Sequence, residues 1–226
     1  LTDLATKSNK LFNKHYKSWY SHFKNLYGVK ITQELFLKHT YYSIVLKTLL
    51  LSKLRKYNDV KGKFTFYKRF FSDEEVLFNW VDSDQHINTL DYDSCENVSF
   101  SYEDLFHELY QQVFISETRH KIGEFYTSPT LVKEMVDDSY ALGMKVLDPS
   151  CGSGTFLIDI LLKILRAPLE EDKKIEFINY IFGFDVNPLA VLTTKTNILM
   201  ILIDFMDIEN LNDTNLNLFL MDSLFP

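Results

Sequence analysis

The stretch that decides the fold is Leu147–Phe156, which reads Leu-Asp-Pro-Ser-Cys-Gly-Ser-Gly-Thr-Phe. It follows a short apolar run at Lys145–Leu147 and leads into Thr155–Arg166, which is apolar on nearly every side, as a buried helix is. Gly152 and Gly154 let the backbone approach a ligand without a Cβ clash, and the amides that open the next helix favour a negative group such as a carboxylate. The pattern matches neither the dinucleotide G-x-G-x-x-G nor the G-K-[ST] of a phosphate loop. We therefore predict a strand, a ligand-binding glycine loop and a helix.

Two further strand patterns follow the glycine loop. Tyr180–Phe184 has the composition of a short buried strand, and Leu216–Met221 forms the third. Between them, Asn187-Pro188 supplies an N-cap and a proline at the first helical position. Strands that alternate with helices predict a parallel, right-handed α/β unit that binds ligands outside the carboxyl ends of its strands. The charged segment Glu170–Glu176 is expected to be a surface insertion.

Asp185 is placed where the second strand ends, within the sequence Gly-Phe-Asp-Val-Asn-Pro. In nucleoside-binding α/β folds a carboxylate at this point accepts hydrogen bonds from ribose hydroxyls. The alternative is an acid that stabilises the amino end of the following helix.

The first 120 residues have the pattern of helices rather than strands. Aromatic and leucine side chains recur at three- and four-residue steps in Phe12–Tyr27, and a second helix is expected over Thr32–Tyr57. The pattern changes at about Gly123. We predict a helical N-terminal domain over residues 1–115 and an α/β domain over residues 116–226.

The net charge of −7 conceals a partition along the chain. Residues 1–69 carry 15 basic and 3 acidic side chains, residues 70–120 carry 1 and 12, and residues 121–226 carry 8 and 16. A local excess of +12 is typical of phosphate binding, so Lys61, Lys63 and Lys68 are candidate nucleic-acid contacts. The alternative is that the basic and acidic segments pair with each other.

The composition excludes several classes of protein. An apolar fraction of 46% can build a packed core. The longest uninterrupted aliphatic run, Ile198–Ile203, is far shorter than a membrane span, so no membrane contact is expected. The two cysteines, Cys95 and Cys151, suggest neither a disulfide framework nor a zinc site, and we expect a reducing cytoplasm and no metal. The start at Leu1 suggests that the natural N-terminus is missing.

A third motif, Gly123–Pro129, reads Gly-Glu-Phe-Tyr-Thr-Ser-Pro and precedes a helix that begins near Thr130. One interpretation is an aromatic residue packed under a helix start that Thr127 or Ser128 caps. The other interpretation comes from the motifs taken together.

In order, the motifs Gly-Glu-Phe-Tyr-Thr-x-Pro, Asp-Pro-x-Cys-Gly-Ser-Gly-Thr-Phe, Gly-Phe-Asp-x-Asn-Pro and Asp-Ser-Leu resemble those of N6-adenine DNA methyltransferases. The similarity is greatest to modification subunits of type I systems and to fused type IIG restriction-modification enzymes, and it covers roughly residues 110–226. It implies the first part of a Rossmann-like sheet that binds S-adenosyl-L-methionine. The residues that it places against the cofactor are Phe125, Tyr126 and Thr127 at the methionine part, Asp148, Pro149, Ser150, Cys151, Gly152 and Gly154 in the loop, Asp185 at the ribose, and Val186 and Asp222 at the adenine.

The family's catalytic motif, Asn or Asp followed by Pro-Pro and an aromatic residue, does not occur in these 226 residues. The resemblance therefore implies the cofactor-binding part of a truncated enzyme that has no catalytic residue of its own. For the full-length protein it implies double-stranded DNA with a flipped adenine as substrate, and a specificity or restriction subunit or domain as partner. The alternatives are a methyltransferase-like binding or assembly module without catalysis, and a methyltransferase that acts on cytosine N4, RNA or protein.

Overall fold

The computed structural model describes residues 9–27, 31–54, 69–71, 77–81 and 127–224. Helix α1 (Asn9–Tyr27) covers the predicted aromatic stripe, and helix α2 (Gln33–Lys53) begins after Thr32, whose hydroxyl accepts a hydrogen bond from the Leu35 amide at 3.2 Å. Both predicted helices are confirmed. The last predicted turn of the second helix and the nucleic-acid candidates Lys61, Lys63 and Lys68 lie outside the described residues.

Aromatic rings join α1 to α2. Trp19 and Phe36 are fully buried, with ring centroids 5.2 Å apart, and the Trp19 indole N–H donates to Nδ1 of His39 at 3.1 Å. Burial lowers the pKa of His39 well below its ordinary value, because the charged form would lose its hydration. His39 is therefore a neutral core side chain.

The α/β unit starts with helix α3 and has three strands among the described residues. Its elements are α3 (Pro129–Ser139), β1 (Val146–Asp148), α4 (Thr155–Arg166), α5 (Glu171–Ile178), β2 (Ile181–Asp185), α6 (Pro188–Phe205), α7 (Ile208–Asn212) and β3 (Asn217–Leu220). The strands are parallel in the order β1-β2-β3, with Asp148 opposite Gly183 and Asp185 opposite Leu220. The predicted parallel α/β arrangement is confirmed, and each strand end lies one residue from its predicted position.

Helices α4 and α6 cover one face of the sheet. At Gly183 a Cβ atom would lie 2.7 Å from Leu218 and 2.8 Å from Leu157, so only glycine permits this close packing of helix on strand. On the opposite face, Leu147 is 51% exposed and Phe219 is 47% exposed. Within the ranges that the structure describes, helices therefore pack against one face of the sheet only.

The segment expected to be a surface insertion is helix α5. Its charged side chains face outward, whereas Ile175 and Ile178 are buried. The charged segment is therefore an amphipathic helix in the connection between β1 and β2.

Helix α6 is the central helix of the unit. It is long and apolar enough to cross a membrane by length and composition alone, but 89% of it is buried inside the protein. Its neighbour α2 reaches it through a 2.9 Å hydrogen bond between the hydroxyls of Tyr42 and Thr193 and through an ion pair between Lys53 and Asp204. The protein core therefore accounts for the apolar character of α6.

Candidate functional site

The glycine loop turns sharply at the carboxyl end of β1. The Asp148 carboxylate accepts a hydrogen bond from the Ser150 amide at 3.1 Å, and the Cys151 amide donates to the carbonyl of Phe184 on β2 at 2.9 Å. Gly152 and Gly154 have φ angles of 54° and 94°, in the left-handed region that glycine adopts at little cost. The turn brings the loop over the end of β2.

The two glycines have different surroundings. A Cβ on Gly154 would lie 2.7 Å from Cγ2 of Thr194, whereas a Cβ on Gly152 would meet no atom of the described residues within 4 Å. Gly154 is also the N-cap of α4 and, as a glycine, has no side chain with which to cap it, so the start of this helix is suited to a negatively charged ligand group. The space beside Gly152 and the start of α4 together form an open site that a ligand could occupy.

Asp185 holds the loop in place. Its carboxylate accepts the Gly152 amide at 2.9 Å and the Asn187 amide at 2.8 Å, and the residue is only 8% exposed. Burial raises the pKa of Asp185 and the charge of Asp148 adds to the rise, while hydrogen bonds from backbone amides, first those of Asn187 and Gly152, oppose it. This structural role did not follow from the sequence. Because each carboxylate oxygen has a second lone pair, a ribose hydroxyl can still bind there.

The carboxyl ends of the three strands place several predicted residues at one edge of the sheet. Asp148 ends β1, Asp185 ends β2, and Asp222 follows β3, whose Met221 amide donates to the carbonyl of Asp185 at 2.9 Å. Val186 is 39% exposed and Asp222 is exposed, so both side chains are accessible at this edge. The loop, Asp185, Val186 and Asp222 therefore belong to one continuous surface.

The motif that precedes α3 is described only in part. Phe125 and Tyr126 lie outside the described residues, and Thr127 is half-buried. Ser128 is the N-cap of α3, and its hydroxyl accepts a hydrogen bond from the Leu131 amide at 3.4 Å. The capping interpretation is thus confirmed for Ser128.

Cys151 lies in the loop but has the environment of a structural thiol. The residue is buried, and its Sγ atom lies 3.9 Å from the Thr194 hydroxyl. Burial raises the pKa of the Cys151 thiol far above its ordinary value, and the negative charges of Asp185 and Asp148 raise it further. Because the thiolate is the nucleophile, this cysteine is unsuited to covalent catalysis.

Three residues at this site did not emerge from sequence reasoning. Thr194 and Asn197 of α6 donate hydrogen bonds to carbonyl groups of the glycine loop. Nε2 of His22 on α1 lies 3.3 Å from the carbonyl oxygen of Val186. The run of five polar residues Thr193–Asn197 in an otherwise apolar helix could have signalled the first pair, although not which of the five meet the loop. The sequence holds no comparable signal for His22.

A cavity of about 440 Å³ adjoins the loop on the outer side of β1. It is lined mainly by apolar side chains of α3, β1 and α4, and it meets the loop at Asp148 and Pro149. Asp185, Val186 and Asp222 are not among its lining residues. The cavity is therefore a neighbour of the loop edge described above and does not coincide with it.

Comparison with known proteins identifies the family. The model of the family described as N-6 DNA Methylase matches residues 101–221, which is more than half of the sequence. The chain belongs to the N-6 DNA Methylase family. Its N-6 DNA Methylase match includes the Phe125–Thr127 motif, the glycine loop and Asp185, and it ends directly before Asp222.

One curated relative is the type I restriction enzyme MjaIX methylase subunit of Methanocaldococcus jannaschii, which is 32% identical over 110 residues. The aligned part covers 46% of this N-6 DNA Methylase family member and 19% of the relative. The chain thus spans about a fifth of the length of that relative. No solved structure matches the chain.

Proposed function

We propose that this chain is the S-adenosyl-L-methionine-binding part of a DNA adenine N6-methyltransferase of a restriction-modification system. The observation that carries the proposal is the glycine loop, which the Asp185 carboxylate fixes at the start of α4, a helix that begins at Gly154. Calorimetric titration of the 226-residue chain with S-adenosyl-L-methionine tests it, and saturable binding at one site per chain is the expected result.

The chemistry of the site fits the proposed cofactor. The amino-acid part of S-adenosyl-L-methionine carries a carboxylate, and the first amides of α4 attract such a group. The open space beside Gly152 admits a ligand close to the backbone, and the Asp185 carboxylate can accept ribose hydroxyls. Val186 and Asp222 are accessible on the same edge for the adenine ring, and Phe125, Tyr126 and Thr127 are proposed for the methionine part.

The residues of this chain would bind and orient the cofactor. When bound, S-adenosyl-L-methionine supplies a methyl group on a sulfonium centre, and the protein contributes positioning and electrostatics. The raised pKa of the buried Cys151 thiol speaks against a covalent cysteine intermediate in the proposed reaction.

The sheet is proposed to be the first part of a Rossmann-like methyltransferase domain over residues 116–226, preceded by a helical domain over residues 1–115. The exposed Leu147 and Phe219 support this proposal, because apolar residues on a sheet face are ordinarily covered by a further layer. We propose that the full-length protein supplies the remaining strands and helices.

The name of the curated relative supports a role in restriction and modification. We propose double-stranded DNA as the substrate of the full-length protein, a specificity or restriction subunit or domain as its partner, and the cytoplasm as its location. The description of the matching family supports adenine N6 as the methylated position.

The 226-residue chain alone is expected to transfer no methyl group to DNA, because it has no Asn/Asp-Pro-Pro-aromatic motif to hold the exocyclic amine. The assay measures tritium incorporation from labelled S-adenosyl-L-methionine into DNA of mixed sequence, with the full-length protein as positive control. Analysis of the labelled base separates N6-methyladenine from N4-methylcytosine. Incorporation above background by the 226-residue chain would show that this chain contains catalytic residues, and would contradict the prediction.

The basic segment of the N-terminal region is expected to bind DNA phosphates in the full-length protein. Lys53 is already paired with Asp204, and Arg69 donates to the carbonyl of Thr214 at 3.1 Å, so these two cations have partners within the fold. Replacing Lys61, Lys63 and Lys68 with Ala should reduce the slope of log K for DNA binding against log[salt] by about two to three. Each phosphate contact contributes roughly 0.9 to that slope.

The matched control for this prediction is Lys53→Ala, which removes a cation that is already paired and should leave the slope unchanged. An unchanged slope in the triple variant, together with a lower melting temperature, would favour pairing with the acidic segment and contradict the DNA role.

A further inference from the structure

Two side chains of α6 donate hydrogen bonds to backbone carbonyl groups of the glycine loop. The Thr194 hydroxyl donates to the carbonyl of Gly152 at 2.6 Å, and the Asn197 amide donates to the carbonyl of Ser153 at 3.0 Å. Thr194 is fully buried and Asn197 is 2% exposed. Residues 194 and 197 lie one turn apart, so the same face of α6 meets two successive carbonyls of the loop.

These contacts complement the one made by Asp185. The Gly152 amide donates to the Asp185 carboxylate at the end of β2, while the Gly152 carbonyl accepts from Thr194 on α6. The amide N–H and the carbonyl group of Gly152 are therefore both fixed, the first by the end of β2 and the second by α6. The Thr194 side chain also packs against Gly154, because a Cβ on Gly154 would lie only 2.7 Å from Cγ2 of Thr194.

We propose that Thr194 and Asn197 are positioning residues that set the conformation of the glycine loop and thereby its affinity for the cofactor. The part of this proposal that concerns affinity rests on the function proposed above. A loop whose peptide groups are already oriented loses less conformational freedom when a ligand binds, and the ligand is held more tightly as a result. Neither side chain is assigned a contact with the cofactor.

Thr196 supplies a matched control on the same buried helix. It is 1% exposed, and its hydroxyl donates to the carbonyl of Leu192 at 2.8 Å, within α6 itself. Thr194→Val and Thr196→Val therefore remove the same atom from equally buried sites, and only the first removes a contact to the loop. Thr194→Ser keeps the hydroxyl and tests for rescue.

The first measurement does not depend on any cofactor. The chain has seven glycines, so selective ¹⁵N-glycine labelling of the 226-residue protein gives a sparse spectrum in which Gly152 and Gly154 can be followed. We expect faster amide hydrogen exchange at Gly152 and Gly154 in Thr194→Val, with Thr194→Ser and Thr196→Val close to wild type. Equal exchange at these two glycines in Thr194→Val and Thr196→Val would overturn the positioning role.

The second measurement is calorimetric titration of the same proteins with S-adenosyl-L-methionine. Thr194→Val should bind roughly 3- to 10-fold more weakly than wild type, as expected for one lost hydrogen bond, and Thr194→Ser should recover most of the affinity. Asn197→Ala, which removes the donor to the Ser153 carbonyl without burying a charge, should weaken binding to a similar degree.

The two proposals can fail separately. If wild type binds no cofactor, the proposed function and the affinity effect fall together, and glycine exchange alone then decides the positioning role. If wild type binds and Thr194→Val binds no more weakly than Thr196→Val, the affinity effect is contradicted and the proposed function stands.

Discussion

Replacement of Asp185 with Ala is expected to weaken binding of S-adenosyl-L-methionine by roughly 10- to 150-fold, or about 1.5 to 3 kcal/mol. The carboxylate is proposed to accept ribose hydroxyls, and it also accepts the Gly152 and Asn187 amides. The substitution therefore removes a ligand contact and releases the loop that the ligand binds. Titration calorimetry on both proteins, at a temperature where circular dichroism shows each to be folded, measures the loss.

Two further variants make the Asp185 result interpretable. Asp138→Ala removes an exposed carboxylate of α3 and should leave the affinity unchanged. Asp185→Asn keeps the side-chain shape, but its NH₂ group faces one of the two amide donors, so binding should again be weaker. Equal affinity of wild type and Asp185→Ala would remove Asp185 from the site.

The second large effect is expected at Gly154, where Ala should lower the free energy of unfolding by about 2 to 5 kcal/mol. Roughly 1 to 2 kcal/mol comes from the left-handed backbone, and overpacking contributes a further 1 to 3 kcal/mol. The overpacking arises because the new Cβ would lie 2.7 Å from Cγ2 of Thr194, which is itself buried. Urea denaturation followed by circular dichroism gives the difference.

Gly152→Ala is the control for this prediction. Gly152 also has a positive φ angle, but within the described part of the chain its Cβ would meet no atom within 4 Å, so only the backbone cost of roughly 1 to 2 kcal/mol is expected. Similar destabilisation in the two variants would mean that the contact with Thr194 does not constrain the loop.

The parts of the fold that followed from the sequence are those governed by local chemistry. The Asn187-Pro188 pair predicted the start of α6, and the structure shows the Asn187 side chain accepting a hydrogen bond from the Leu189 amide at 3.0 Å. The apolar stretch at Thr155–Arg166 predicted α4 with the observed ends. Capping residues, prolines and glycines determine the backbone conformation of only a few neighbouring residues, so the helix ends that they set can be predicted from the sequence.

Contacts between distant segments did not follow from the sequence. The motif at Asp185 predicted a polar residue at the end of a strand, but not that its carboxylate would accept the Gly152 amide, 33 positions earlier in the chain. The hydrogen bond of Thr194 to the loop and the approach of His22 to Val186 likewise depend on how α6 and α1 pack. Helix periodicity shows which face is apolar, but not which polar atom meets which backbone group.

The most direct test of the account is calorimetric titration of the unmodified 226-residue chain with S-adenosyl-L-methionine, with S-adenosyl-L-homocysteine as a second ligand and ATP as a comparison. We predict saturable binding of both adenosyl amino acids at one site per chain and weaker binding of ATP, because the start of α4 is suited to an amino-acid carboxylate and the loop is not a phosphate loop. A folded chain that shows no saturable binding of either adenosyl compound would contradict the central claim.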